Sequence, residues 1–541
     1  MLNVYPKLKY MKILGEKIDS RSELSIVRKD LKDFNKKATD IDSQLYNNDS
    51  YGIIIEKERA EIYCDSDRAF NYGVLTLRQL KKEDKLYCSI IFDYPHMKIR
   101  GIIEGFYGGP WTFEQRCEAI ATISKYKMNT YVYAPKNDLY HRIKWSQLYP
   151  KDNIKKMEEL VNYCKNNYID FYYTLGPGVS MKYSDGEQLK LLINKYMQLY
   201  EIGVRNFGVL FDDIPLELVD DEEKKVFITA DKAHSYVVNK VYNYFKALDK
   251  ECRLTVCGSL YNGKGDEEYI VNLGKSIPSD VEIFWTGRSI CSQELDSRDA
   301  VYFLENTMHK PLYWDNYPVN DAEMIHEMHL GPIRGRDCDL YKNAEGLLCN
   351  VMEYKEASMI PVITAADYLW NCIGYEEVKS WNRGILEVVG EKDAKDFISF
   401  NMFCLKSCLN QKGNEDFYQR LMRFQYMQRE GKLEEALEEL LLYFEKNLKS
   451  SKVLKSGMEN KELLKDISRW LNKFNSFNKL WIRCIRGGKE YMYGSKLRAG
   501  LIFIPIPLQY LCFKINPISM MDFETKVLMD SMFNIIENNA N

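Results

Sequence analysis

The chain has 541 residues, more than one compact core accommodates, so two or three domains are expected. Hydrophobic residues make up 45% and charged residues 28%, as in ordinary globular proteins, and the net charge of −3 gives no broad basic surface for nucleic acid or an anionic membrane. None of the 14 cysteines form a CxxC pair, so no zinc or disulfide framework is legible, and buried free thiols in a reducing compartment are expected.

Met1 to Ser20 is charged and lacks an apolar stretch of signal-peptide length, which points to the cytoplasm, although a processed secreted form would read the same. Residues 1–97 read as a small α+β unit. Its strands are Tyr51–Ile55, Ala60–Tyr63 and Leu86–Phe92, its helix is Phe70–Leu80, and Tyr94-Pro95 marks its end.

From Ile99 onward, short apolar runs alternate with helical stretches. The strands expected are Gly101–Gly105, Thr130–Ala134, Asp170–Leu175, Asn206–Phe211, Arg253–Cys257, Val281–Trp285, Pro311–Trp314 and Gly346–Asn350. Between them lie helices that include Phe113–Tyr126, Lys155–Asn166, Glu187–Ile202, Glu222–Ala247 and Asp266–Leu273. Such alternation implies βαβ units, and eight of them within residues 98–380 imply an α/β fold of the (β/α)8 TIM-barrel type. A doubly wound sheet is the alternative, but it often carries a Gly-rich phosphate loop that this chain lacks. Residues 381–541 read as mainly helical, with Leu433, Ala436, Leu437, Leu440, Leu441 and Phe444 at helical spacing. The apolar run Ala499 to Phe513 is too short to span a bilayer, carries Pro505 and Pro507, and fits no helical pattern.

A barrel places its active site at the C-terminal ends of its strands. Those ends carry Glu104 to Gly108, Lys136-Asn137-Asp138, Asp212-Asp213, Tyr261-Asn262, Trp285-Thr286, Trp314-Asp315-Asn316 with Asn320-Asp321, and Asn350. Acidic, amide and aromatic groups on one rim suit a carbohydrate, with its hydroxyls and apolar ring faces. Asp212-Asp213 is the centre of the set. Adjacent strand residues face opposite ways, so both acids reach one substrate only where the strand gives way to a loop. Adjacent acids also occur without function: Asp220-Asp221 precedes a helix and is expected to cap it. Glu104 is expected to pair with a neighbouring barrel residue, not to react. His326 and His329 form HExH, not HExxH, and are read as helix-surface residues, so no metal is expected.

These segments resemble glycoside hydrolase family 84. Arg100-Gly-Ile-Ile-Glu-Gly-Phe-Tyr-Gly-Gly-Pro-Trp111 resembles its first-strand motif, and Met128 to Asp138 its second. Phe211-Asp-Asp-Ile214 resembles its catalytic signature. Trp314-Asp-Asn316, Asn320-Asp321, Leu330-Gly-Pro332, Gly346 to Asn350 and Thr364 to Tyr368 follow in family order. The resemblance implies a β-N-acetylglucosaminidase whose substrate supplies its own acetamido oxygen as nucleophile, the exception to the two-carboxylate scheme. It assigns Asp212, ionised, to the acetamido N–H, and Asp213, protonated at rest, to the leaving oxygen and then to water. Tyr261 and Asn316 would contact the acetamido group. Gly105, Lys136, Asp321 and Asn350 would contact sugar hydroxyls. Trp285, Thr286 and Trp314 would line the acetamido pocket, and Tyr107 would stand at its rim. The chain departs from the family at Cys257-Gly-Ser-Leu-Tyr261, where the segment supporting the tyrosine differs, and at Asn137, where an aspartate is usual.

The expectation is a retaining exo-β-N-acetylglucosaminidase acting on a glycan or glycoprotein without a cofactor. The alternatives are an endo-acting, hyaluronidase-type hydrolase and a non-catalytic glycan-binding barrel.

Overall fold

The computed structural model describes residues 4–492, apart from 39–41 and 179, together with Ile518 and Leu528. The run Ala499 to Phe513 therefore lies outside the described residues. The chain divides into two compact units. The first comprises Met1–Val319, Pro332–Glu353 and Val362–Ser380; the second comprises Asn320–Gly331, Tyr354–Pro361 and Trp381–Asn541.

The first unit opens with strands β1 (Tyr10–Lys17), β2 (Ser25–Lys29), β3 (Tyr51–Ile55), β4 (Arg59–Tyr63) and β5 (Tyr87–Asp93), with helix α1 (Asp67–Lys82) between β4 and β5. The sheet order is β1-β5-β3-β4-β2. The two strands not anticipated from sequence, β1 and β2, are the edges, and their side chains are mostly exposed, so no buried alternation marks them.

Strands β6 (Ile99–Glu104), β7 (Thr130–Tyr133), β8 (Asp170–Leu175), β9 (Asn206–Leu210), β10 (Arg253–Cys257), β11 (Glu282–Trp285), β12 (Pro311–Asp315) and β13 (Gly346–Asn350) close into a parallel barrel. Helices α2 (Phe113–Lys125), α3 (Lys151–Asn166), α4 (Gly186–Glu201), the pair α5 (Asp221–Phe227) and α6 (Ala230–Leu248), α7 (Glu268–Ser276) and α8 (Ser297–Thr307) follow β6 to β11 in turn. After β12 come only short 3-10 turns among the described residues, Ala322–Met324 and Leu340–Lys342, and α9 (Lys355–Trp370) follows β13. Thr112 starts α2 through a capping box with Gln115, and the Asp220 carboxylate caps α5 by accepting from the Glu222 and Glu223 N–H groups. The one helix expected over Glu222–Ala247 is two, because the backbone turns at Ile228, φ +68°, and Thr229 N–H donates to Phe227 O at 2.8 Å.

The barrel interior is a packed cluster that includes Ile103, Ala134, Leu210, Phe284, Trp314 and Leu348. Side chains alternate along a strand, so the positions two residues on face the same axis. These are Gly105, Lys136, Asp212, Thr286, Asn316 and Asn350. One apolar layer thus forms the floor, and one polar layer stands above it at the C-terminal ends of the strands.

The chain continues through α10 (Glu377–Val389), α11 (Glu391–Asn401), α12 (Glu415–Arg429), α13 (Leu433–Gly457) and α14 (Lys461–Met492). In the second unit Phe403, Phe417, Phe444, Phe477 and Trp481 pack ring against ring.

Candidate active site

Asp212 and Asp213 follow β9, and the backbone change there brings both carboxylates to one place. Asp213 has φ +58°, a left-handed conformation uncommon for a residue with a Cβ. That turn cancels the strand alternation, so both acids face Lys136. The Lys136 ammonium pairs with Asp212 Oδ2 and lies 3.8 Å from Asp213 Oδ2. The Tyr107 hydroxyl donates to Asp213 Oδ2 at 2.6 Å, and the Tyr261 hydroxyl donates to Asp213 Oδ1 at 3.1 Å. Arg142, from the loop after β7, donates to the Tyr107 oxygen at 3.0 Å.

Burial opposes the charge on Asp212, but the adjacent Lys136 and the Arg142 charge outweigh it and hold the carboxyl below the usual aspartate range. Burial likewise opposes the charge on Lys136, and the two carboxylates outweigh it and raise its pKa. The hydroxyls of Tyr107 and Tyr261 are both pushed up, by burial first and by Asp213 second, so they remain donors at neutral pH. The cluster is thus one fixed cation, one firmly ionised acid, and a second acid held by two exchangeable hydroxyls.

The opposite wall is built from β6, β12 and β13. The Trp314 ring lies against Gly105 so closely that a Cβ there would come within 2.4 Å of it. Trp314 Nε1 donates to Asn316 Oδ1 at 3.1 Å, and Asn350 Nδ2 donates to the same oxygen at 2.9 Å. Lys136 Nζ stands over the rings of Tyr107 and Trp314, at 5.6 and 5.7 Å from their centres, and joins the two walls.

The segment that departs from the family pattern has its own brace. A Cβ at Gly258 would meet the Tyr269 ring at 2.7 Å. The Tyr269 hydroxyl accepts from Ser259 N–H at 3.0 Å and bonds His234 Nδ1 at 2.7 Å. The His234 ring stacks on Phe211 at 4.0 Å, and burial lowers its pKa to about 3, so it stays neutral. The residue before Asp212 is thereby tied to the segment that carries Tyr261. Thr286 adds to this support: its N–H donates to Tyr261 O at 2.8 Å, and its hydroxyl donates to Ser289 O at 2.8 Å.

The β-N-acetylglucosaminidase family profile matches residues 100–402, which hold every one of these side chains. The chain belongs to that family. Over 271 residues it is 30% identical to the protein O-GlcNAcases of Rattus norvegicus and Mus musculus, a match covering 50% of this chain and 29% of each of theirs. The chain thus spans under a third of the length of the curated relatives it matches. Among solved structures it is similar to the Thermobaculum terrenum O-GlcNAc hydrolase, with 26% identity, a TM-score of 0.75, and coverage of 82% of this chain and 94% of that one. The structure described as CpGH84B aligns over 99% of this chain and all of its own at TM-score 0.85, and its 24% identity supports the fold alone.

Most of the candidate site positions read from sequence meet here: Gly105, Tyr107, Lys136, Asp212, Asp213, Tyr261, Thr286, Trp314, Asn316 and Asn350. Trp285 does not. It faces away from the barrel axis, with its ring 4.8 Å from that of Phe303 on α8, because Phe284 takes the inward position and the pleat turns its neighbour outward. Asp321 falls in the second unit, at the start of the turn Ala322–Met324. Nor are His326 and His329 on a helix surface. They lie in irregular chain, and His329 is buried with Nε2 2.9 Å from Glu327 Oε2. Glu104 accepts from the Tyr131 hydroxyl on the neighbouring strand β7, as expected, and also makes a two-pronged contact with Arg116 on α2 at 2.7 and 2.8 Å. The residue that sequence reading missed is Arg142. Its only local sign is a cation in the loop that follows Lys136. No helix among the described residues is long and apolar enough to cross a membrane.

Proposed function

We propose that this chain is a retaining exo-β-N-acetylglucosaminidase that removes terminal β-linked N-acetylglucosamine from a glycan or glycoprotein by substrate-assisted catalysis. The observation that carries the proposal is the unequal treatment of two adjacent acids. Asp212 is held ionised by Lys136, as a group must be that accepts the acetamido N–H and stabilises the charge developing on that group. Asp213 reaches the same space through its left-handed backbone and accepts from the hydroxyls of Tyr107 and Tyr261, with Lys136 more distant.

In this reading the acetamido oxygen attacks the anomeric carbon, the bond to the leaving oxygen breaks, and Asp213 gives that oxygen its proton. The oxazoline intermediate then opens as water attacks the anomeric carbon and Asp213 takes the water's proton. Tyr261 exchanges its contact with Asp213 for the acetamido oxygen, and Asn316, fixed by Trp314 and Asn350, holds the same group. Lys136, Gly105 and Asn350 contact sugar hydroxyls. The packed floor beneath the polar layer supports exo-action, since it closes the far end to a polymer.

The test uses methylumbelliferyl β-N-acetylglucosaminide and the matching β-glucoside, with the natural enzyme and Asp213→Asn. Release from the first substrate alone, abolished in the variant, supports the mechanism. Equal turnover of the glucoside would rule out participation by the acetamido group. No turnover of either by well-folded protein would favour a glycan-binding barrel.

A further inference from the structure

We infer that Glu327, His329 and Cys408, in the second unit, form a structural site for a divalent transition-metal ion of the zinc type. Glu327 Oε2 lies 2.9 Å from His329 Nε2. The Cys408 N–H donates to Glu327 Oε1 at 3.1 Å and Oε2 at 3.2 Å, and the Cys408 thiol is a further partner of that carboxylate. The carboxylate oxygen, the imidazole nitrogen and the sulfur lie within 4.8 Å of one another. Donor atoms around a tetrahedral zinc ion stand roughly 3.3–3.8 Å apart, given its bond lengths, so closure needs shifts of about an ångström. The donor set names the metal class. One oxygen, one imidazole nitrogen and one thiolate suit zinc or cobalt, whereas calcium and magnesium take oxygen alone.

The supports are in place on both sides. The segment carrying the first two donors is locked through its carbonyls: Trp470 Nε1 donates to His326 O at 3.0 Å, Asn320 Nδ2 to Glu327 O at 2.8 Å, and Trp381 Nε1 to Leu330 O at 2.7 Å. Cys408 sits at the exposed tip of a tight loop, closed by mutual main-chain bonds between Ser407 and Asn410 at 2.9 and 3.3 Å. The main-chain N–H of Cys408 is enough to latch that loop to Glu327. The convergence of an imidazole and a thiol on the same carboxylate is what a metal ion uses, and the exposed tip gives the ion a way in.

On binding, the thiol S–H bond breaks, a sulfur–metal bond forms, and the proton passes to solvent. His329 keeps its proton by moving it to Nδ1, Glu327 stays a carboxylate, and water takes the fourth position. The ion would cross-link two segments far apart in sequence and so stabilise the folded second unit.

The test is independent of glycosidase turnover. Full-length protein, stripped with a chelator, is titrated with Co2+ while the thiolate-to-cobalt charge-transfer absorption is followed, and its melting temperature is measured with and without Zn2+. The expected result is a band that saturates at one equivalent, displacement by Zn2+, and a higher melting temperature with Zn2+. Cys408→Ser should abolish the band and the shift. Cys338→Ser, at the other exposed cysteine among the described residues, should keep both. Absence of the band in the natural protein, or its persistence in Cys408→Ser, would overturn the assignment and leave the three residues a hydrogen-bonded latch.

Discussion

Lys127 and Lys136 stand in the same unit, both have buried side chains, and each faces an aspartate, yet their pKa values shift in opposite directions. Lys127 lies 3.2 Å from Asp93 Oδ2, with the Tyr51 hydroxyl at 2.7 Å and the Trp370 ring centre at 4.6 Å. Burial dominates there and pushes its ammonium pKa down against the pull of Asp93. Lys136 is buried as well, but two carboxylates face it and its pKa goes up. The aspartates differ in the same way. Asp93 accepts from Tyr51 and Lys127 on one oxygen and from Lys9 N–H on the other, all beneath the N-terminal sheet. Asp213 accepts hydroxyls from Tyr107 and Tyr261, the first of them 46% exposed, at the open end of the barrel. A buried charge by itself is therefore no sign of function. The distinguishing features are a second carboxylate, partners that can be exchanged for a substrate, and a backbone bent out of its ordinary conformation to place the group.

The sharpest way to break this contrast is to neutralise each acid. Asp213→Asn should lower kcat by about 10²–10⁴-fold while the melting temperature stays near that of the natural protein, since the site already makes room for solvent. A drop in melting temperature without a loss of kcat would move Asp213 into the structural class. Asp93→Asn should do the reverse. Leaving Lys127 buried without its counter-charge should cost about 3–5 kcal/mol in urea unfolding, with kcat per folded molecule preserved.

Lys136→Met tests the electrostatic coupling. In the natural protein Asp212 ionises below the ordinary aspartate value of about 3.9, so activity that needs its charge falls only as the pH drops below that range. Removing the cation leaves the burial effect unopposed by its nearest partner. The acidic limb of the kcat/KM profile should therefore move to higher pH, and an unmoved limb would mean that Lys136 does not set the charge of Asp212. The same depressed pKa stabilises the fold above the unfolded value near 3.9 and loses that contribution as the pH falls through the folded value.

Tyr107→Phe removes one hydroxyl from Asp213, and the loss should be about 1 kcal/mol, or about fivefold in kcat/KM. Trp285→Phe should have the smallest effect on activity: unchanged kcat and KM, with about 1 kcal/mol lost in unfolding free energy, because its ring packs on Phe303.

What the amino-acid order determines by itself is whatever repeats locally. Apolar runs alternating with helical stretches were enough for the eight strands of the barrel, and the ends of those runs were enough to put Gly105, Lys136, Asp212, Asn316 and Asn350 on one rim. A strand buried on both faces announces itself, whereas β1 and β2, exposed at sheet edges, do not. The structure decided what depends on chain segments meeting across long separations. It turned Asp213 into the site through a left-handed residue, turned Trp285 out of it, and brought Arg142 to Tyr107. It also set Cys408 beside Glu327 and His329, although HExH alone signals no site. Periodicity is a property of neighbouring residues, while the direction of a loop side chain follows from the packing of everything around it.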